Sequence, residues 1–187
     1  NDSIQLGGDG DMWRGQGAPT TSGNDVVSLG NGNDQVQLGD GSNTVTVGSG
    51  NDNIQAGDGN NVIVAGSGND NIQVGDGDNL IVGGTGRDII HAGNGNNILI
   101  DGSVLQSTDQ LWAVLDQWIA DIQAGDAASA IATDLSNGLT ITAYNTSNAN
   151  TLNAGKGFDA FFATYAKDKL NDKPGDLLNG QVVTSGH

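Results

Sequence analysis

From Leu29 to Ile100 an aliphatic residue recurs every ninth position. Val36, Val45, Ile54, Ile63, Ile72, Ile81, Ile90 and Leu99 share one slot, position 8 of a nine-residue unit. Positions 7 and 9 read outward around it, which is the period-two pattern of a short strand. The rest of each nine has turn chemistry. Position 2 is always Gly (Gly30, Gly39, Gly48, Gly57, Gly66, Gly75, Gly84, Gly93), and so is position 4 (Gly32, Gly41, Gly50, Gly59, Gly68, Gly77, Gly86, Gly95). Two Gly so close together allow a tight turn with positive φ. Each nine is therefore a turn and a strand. Two nines make one coil of a flattened helix, so that unit n stacks on unit n+2. At ~4.8 Å per stacked strand, four coils span about 20 Å.

Positions 7 and 9 separate the two faces of this roll. One face carries Gln35/Gln37, Asn53/Gln55, Asn71/Gln73 and Ile89/His91. The other carries Thr44/Thr46, Val62/Val64, Leu80/Val82 and Ile98/Ile100 and becomes apolar toward its C-terminal end. An apolar outer face needs a cover. After a short link, Asp101 to Ser107, the apolar residues Leu111, Trp112, Val114, Leu115, Trp118, Ile119 and Ile122 recur at helical spacing. Ser107 or Thr108 is the candidate N-cap and Gly125 the stop, so a helix from Asp109 to Ala124 is expected to lie on that face. Both Trp are expected in its core. A second helix, Ala127 to Asn137, is expected with Asp126 as cap and Gly138 as stop. Leu139 to Tyr144 alternates like a strand.

At the N-terminal end, Asn1 to Gln5 reads as the tail of one unit, with Asp2 at position 6. Leu6 to Arg14 reads as the next, with Asp11 at position 6 and Trp13 in the inward slot. Gly15 to Thr21 interrupts the register and Asp25 restores it. The chain opens in mid-repeat, as a piece of a longer array would. Near the other end, Ala154 to Phe162 again fits the unit, with Asp159 at position 6 and Phe161 at position 8. The aromatic residues Phe158, Phe161, Phe162 and Tyr165 suggest a terminal cap, which stacked solenoids require. Lys156, Lys167, Lys169 and Lys173 cluster here, and residues 176–183 suggest a closing strand. The expected division is a roll over 1–103 and a capping segment over 104–187, with one further repeat unit at 154–162.

Position 6 has a second period, of eighteen: Asp34, Asn43, Asp52, Asn61, Asp70, Asn79, Asp88, Asn97. Every Asp thus falls on one edge of the roll and every Asn on the other. Carboxylates stacked at ~4.8 Å repel without a counter-cation. Oxygen ligands on adjacent turns suit Ca²⁺, which takes about 6–8 oxygens. The candidate ligands on this edge are Asp34, Asp52, Asp70 and Asp88, with the turn carbonyls of Gly30, Gly32, Gly48, Gly50, Gly66, Gly68, Gly84 and Gly86. Asp11, Asp25 and Asp159 are further candidates, and Asp25 falls on the Asn edge. The alternative is a metal-free polar turn ladder. For the Asn edge two readings stand: a neutral amide ladder, or weaker calcium sites built from Asn43, Asn61 and Asn79 with Asp40, Asp58 and Asp76 at position 3.

Composition narrows the partners. The 187 residues carry 22 Asp and Glu against 6 Lys and Arg, a formal net charge of −16, which disfavours nucleic acid and anionic membrane surfaces and favours cations. With no Cys among them, stapling falls to metal rather than disulfide. No apolar run is long enough to span a membrane. The two His form no catalytic constellation, and His91 reads as a surface residue, so no enzyme is expected.

The unit as a whole resembles the RTX (repeats-in-toxin) nonapeptide G-G-x-G-x-D-x-U-x of secreted bacterial proteins. The resemblance implies a mainly β fold, a right-handed parallel β-roll (β-helix solenoid), here with a small α/β C-terminal cap. It implies several Ca²⁺ ions, folding coupled to calcium, type I secretion without a cleaved N-terminal signal, and a secreted or cell-surface location. The partners it implies are calcium and covalent neighbour domains of a larger parent protein, the module itself being monomeric. A second reading is an adhesin or ice-binding surface, built on the row Asn31, Ser49, Ser67, Thr85 beside Asn33, Asn51 and Asn69, which Arg87 breaks.

Overall fold

The computed structural model of the protein describes residues 3–5, 12–14, 23–144, 148–163, 168–171, 175–179 and 181–182. Each nine is a turn and a three- or four-residue strand, and the strands stack into two long sheets. One sheet runs Ser3–Gln5, Val26–Ser28, Thr44–Thr46, Val62–Val64, Leu80–Val82, Ile98–Ile100, Ala160–Phe162 and Leu177–Leu178, closed by Gln181–Val182. The other runs Met12–Arg14, Gln35–Gln37, Asn53–Ala56, Asn71–Val74, Ile89–His91, Thr151–Asn153 and Lys169–Leu170. Pairing is parallel throughout the two sheets, apart from the final pair of Leu177–Leu178 with Gln181–Val182. The register is that of the repeat: Val45 lies over Ile63, Ile54 over Ile72, and Trp13 beside Val36.

Position 8 points between the sheets and makes the first core. Val36, Val45, Ile54, Ile63, Ile72, Ile81, Ile90 and Leu99 are all buried, joined by position-1 residues such as Leu38, Val47 and Val74. Only small turns fit so close a stack. At Gly68, φ is +146°, and a Cβ there would overlap the Gly50 carbonyl oxygen of the preceding coil. A side chain at this position would therefore be strained and would also push two coils apart.

The second core lies outside the roll. Helix α1 (Thr108–Ala124) and helix α2 (Ala128–Gly138) bury Leu111, Val114, Leu115, Trp118, Ile131 and Leu135 against Val62, Leu80, Val82, Ile98 and Ile100. This is the expected cover, and Val64 packs at its margin. Trp118 is buried. Its indole N–H donates to Asn96 O at 2.9 Å, and its ring stacks on Phe158 with centroids 5.2 Å apart. Trp112, half-buried, donates to Thr44 Oγ1 at 2.8 Å. Burying side chains of this size stabilises by about 1.5–3 kcal/mol each. The opposite outer face stays polar and open, with Gln37, Gln55, Asn71, Gln73 and His91 exposed.

The caps explain the helix bounds. Ser107 is the N-cap of α1 in a capping box with Gln110, and Gly125 closes it at φ 73° in the left-handed region. Asp126 does not cap α2. Its N–H is used in the terminating turn of α1, on Asp121 O, and the N-cap is Ala127, which has no side chain to offer. The strand expected over 139–144 is shorter, Ile141–Ala143, and pairs antiparallel with Ser103–Val104. These two strands form a stem that carries the helices.

After the stem the chain re-enters both sheets. Thr151–Asn153 continues one sheet beside Ile89–His91, and Ala160–Phe162 continues the other beside Ile98–Ile100. The unit expected at 154–162 is in register, with Phe161 fully buried in the inward slot. The expected closing strand is two short strands, Leu177–Leu178 continuing the sheet and Gln181–Val182 folding back on it.

Candidate metal centre

Position 6 tucks into the turn on both edges of the roll, so Asp and Asn are fixed by the same backbone. On one edge the side chains form a ladder down the stack. Asp34 N–H donates to Asp52 Oδ1 at 2.8 Å, Asp52 N–H to Asp70 Oδ1 at 2.8 Å, and Asp70 N–H to Asp88 Oδ1 at 3.0 Å. On the other edge Asp25 N–H donates to Asn43 Oδ1 at 3.0 Å, Asn43 N–H to Asn61 Oδ1 at 3.2 Å, and Asn61 N–H to Asn79 Oδ1 at 3.0 Å.

The two edges part at the second terminal atom. Asn43, Asn61, Asn79 and Asn97 use Nδ2 to donate to the position-4 carbonyls of their own turns, Gly41, Gly59, Gly77 and Gly95, at 2.8–3.1 Å. Nδ2 also reaches the next Asn Oδ1 at 3.0 Å in Asn43, Asn61 and Asn79. The turns of Asn43, Asn61 and Asn79 are satisfied by neutral amides alone. On the Asp edge the corresponding atom is an oxygen. Oδ2 of Asp52, Asp70 and Asp88 is buried and makes no hydrogen bond. A buried acceptor left like this costs about 1–3 kcal/mol, more when charged.

The electrostatics agree. Burial pushes Asp70 up to about 7, against the bond from Asp52 N–H, and the charges of Asp88 and Asp52 push the same way. Burial likewise pushes Asp88 up to about 6 and raises Asp52. The edge thus favours neutralisation, by a proton or by a cation, and its donor set is hard oxygen throughout. Among the described residues no three Asp, Glu, His or Cys side chains converge on one point. A cation here would draw one or two carboxylates from adjacent coils and complete its shell with turn carbonyls, which suits Ca²⁺.

The remaining candidates fall in three places. Asp25 and Asp159 both join the Asn edge at its two ends, Asp159 accepting from Asn97 N–H at 2.9 Å. Asp40, Asp58 and Asp76 stand exposed outside that edge. Asp40 and Asp58 accept from the N–H groups of Asp58 and Asp76 at 2.8 Å, and Asp76 from Asn94 at 2.7 Å. That Asn94 bond, first from the backbone and then from the side chain, lowers the Asp76 pKa. Asp2 and Asp11 lie outside the described residues. Asn150, Asp168 and Asp176 also join the ladders. Asn150 accepts from Asp88 N–H, Asp168 from Asn150 N–H at 2.9 Å, and Asp176 from Asp159 N–H at 3.0 Å. The turn before Asn150 has Asn148 where a repeat has Gly, so only Asn150 and Leu152 at positions 6 and 8 betray it.

The comparisons with known proteins bear on this stretch. The RTX calcium-binding nonapeptide repeat matches in four overlapping copies, at residues 20–45, 37–72, 46–80 and 73–100. No curated protein and no solved structure gives a match. RTX repeats bind calcium and are structural modules rather than catalytic ones. No helix among the described residues is long and apolar enough to cross a membrane. Two parallel sheets of nonapeptide coils, an Asp ladder with unanswered oxygens and four matching repeats lead to one identification: residues 20–100 of this chain are RTX calcium-binding nonapeptide repeats.

Proposed function

We propose that the chain is a calcium-loaded folding module of a secreted bacterial protein. The carrying observation is the unpaired, buried Oδ2 of Asp52, Asp70 and Asp88, set where the Asn edge has an N–H donor. We assign the ions to the Asp edge. Asp34, Asp52, Asp70 and Asp88 supply carboxylates, and the carbonyls of Gly30, Gly32, Gly48, Gly50, Gly66, Gly68, Gly84 and Gly86 complete the shells. Asp25 and Asp159 are secondary ligands at the ends of the Asn edge. At Asn43, Asn61 and Asn79 the amide hydrogen bonds favour a ladder over a calcium site, which leaves Asp40, Asp58 and Asp76 as weak surface ligands.

Calcium then drives folding. Without it the chain is acidic, Gly-rich and poor in apolar residues, and burial of its carboxylates opposes the compact state. Such a chain stays extended during type I export and folds outside, where it stabilises or presents the neighbouring domains of its parent. Residues 1–103 serve as the roll. Residues 104–187 serve as its capping segment, covering the apolar face and extending the stack. The module acts as a monomer and has no catalytic role of its own.

The test is calcium stoichiometry by calorimetry together with far-UV circular dichroism, with and without chelator. Several ions bound and a β spectrum that collapses in chelator are the expected result. A spectrum indifferent to chelator would overturn the reading. An adhesin or ice-binding role has weaker support, since Arg87 is exposed in the row that continues Asn33, Asn51 and Asn69.

A further inference from the structure

Position 1 of the coil lies beside the position-6 carboxylate, and on the Asp edge it tapers along the roll: Leu29, Val47, Ala65, Gly83. The first three are buried apolar side chains. At Gly83 the side chain is gone. A Cβ there would stand 3.0 Å from Asp88 Oδ2, so this oxygen faces the space that Gly83 leaves. The next residue in the row is Asp101. It stacks on Gly83, the two coils being joined by Gly83 N–H on Ile100 O at 2.9 Å and Gly84 N–H on Gly102 O at 3.0 Å. An acid therefore enters a slot that is otherwise apolar, and it is only 1 % exposed.

Asn150 ties the two acids together. Its Oδ1 accepts from Asp88 N–H at 2.5 Å and its Nδ2 donates to Asp101 Oδ1 at 2.7 Å. Asn150 thus joins the Asp88 backbone to the Asp101 carboxylate, and Asp88 keeps a buried Oδ2 with no hydrogen bond, aimed at the space beside Gly83. Burying a carboxylate in each of two adjacent coils is costly unless a positive charge compensates them.

We propose that Asp88 and Asp101 together hold a calcium ion at the C-terminal end of the Asp ladder, with Asn150 as the positioning residue. The proposal rests on the calcium reading of the ladder and adds to it a site that the repeat does not encode, since Asp101 and Asn150 lie outside the matched residues 20–100. With Asp101 adding a carboxylate that no repeat coil supplies, this end site binds more tightly than those between repeats, because calcium affinity follows ligand charge. It also sits where the chain leaves the roll for the helices and where it returns. Calcium there would clasp both ends of the helical insertion.

The test is calcium calorimetry on the whole chain and on two variants, with far-UV circular dichroism of each loaded protein. Asp101→Asn removes the charge and can keep the bond from Asn150. Gly83→Ala fills the gap with the methyl group that Ala65 carries one coil earlier, and it settles the matter should Asp101→Asn fail to fold. Both variants are expected to lose one ion, or to bind it at least about tenfold more weakly, with the loaded β spectrum retained. Unchanged count and affinities in both overturn the end site and leave the ladder reading standing. An unchanged count with a more chelator-resistant Asp101→Asn overturns it in favour of a shared proton. If the wild-type chain binds no calcium, the ladder reading fails and the end site with it.

Discussion

On one edge of the roll Asn61 brings Nδ2 to Gly59 O at 2.8 Å; on the other, Asp52 and Asp70 bring a buried oxygen to the equivalent corner. The position-4 turn is the same on both sides. Position-4 glycines have positive φ throughout, for example +146° at Gly68 and +138° at Gly77. The ladder through Oδ1 is the same too. At position 6 what differs is a single atom per coil, donor or acceptor, and that atom decides whether a turn is complete in itself or needs a partner from solution. One edge is a permanent seam, the other a conditional one.

The largest expected effect is loss of the conditional seam. Chelating calcium at neutral pH should abolish most of the β signal in circular dichroism, since the roll cannot close along one edge only. Persistence of the roll would mean that the Asp edge is as self-sufficient as the Asn edge. Next come the glycines, where the edges should behave alike. Gly68→Ala and Gly77→Ala each set a Cβ against a carbonyl of the preceding coil, Gly50 O and Gly59 O respectively. Both should lose about 3 kcal/mol or more of stability and unfold at markedly lower temperature, and a large difference between them would show that the position-4 turns of the two edges are not equivalent.

Smaller effects separate the side chains. Asn61→Ala removes the bonds to Gly59 O and Asn79 Oδ1 and should cost about 1–3 kcal/mol with the calcium count unchanged. Asp70→Asn should do the reverse, losing an ion while making the calcium-free chain more stable. Equal calcium loss in the two variants would erase the distinction. The smallest effect is the pH dependence. Asp70 and Asp88 stand near 7 and 6 in the roll against an ordinary 3.8, so the folded chain binds more protons than the unfolded one. Stability of the calcium-free roll should therefore be fullest below about pH 4 and fall as pH rises through 6 to 7. Calcium affinity should rise over the same interval. Chemical denaturation in chelator from pH 4 to 8 measures the first, and a flat profile would place the Asp edge in a wetter setting than its burial indicates.

Much of this was legible in the residues because the repeat makes one physical decision many times. Gly at positions 2 and 4, an aliphatic residue at 8 and the Asp/Asn alternation at 6 set the sheets, the register and the two edges. The apolar run Val62, Leu80, Val82, Ile98, Ile100 announced the helix that covers it. Where a position is filled once, the pattern is silent. Asn150 enters the ladder without a glycine turn, and Asp101 is an acid in an apolar slot, so neither could be read without the stack that surrounds it. Asp126 misled because Asp before a helix is the usual cap. Here Asp126 belongs to the turn that ends α1, its N–H on Asp121 O, and the N-cap position falls one residue later, on Ala127.

The helical insertion also sets the order in which the roll can assemble. Within the repeats each ladder bond joins residues 18 apart, whereas Asp88 to Asn150 and Asn97 to Asp159 join residues 62 apart. Because closure entropy grows with the logarithm of loop length, each long join costs about 1 kcal/mol more than a repeat join. The coils up to Ile100 can add one after another, each closing a short loop. The coils beyond the stem must wait until Ser103–Val104 has met Ile141–Ala143 and drawn Asp101 to Asn150. Residues 23–100 therefore grow as a zipper, and everything after them arrives as a docking event that can be slowed on its own by weakening the stem.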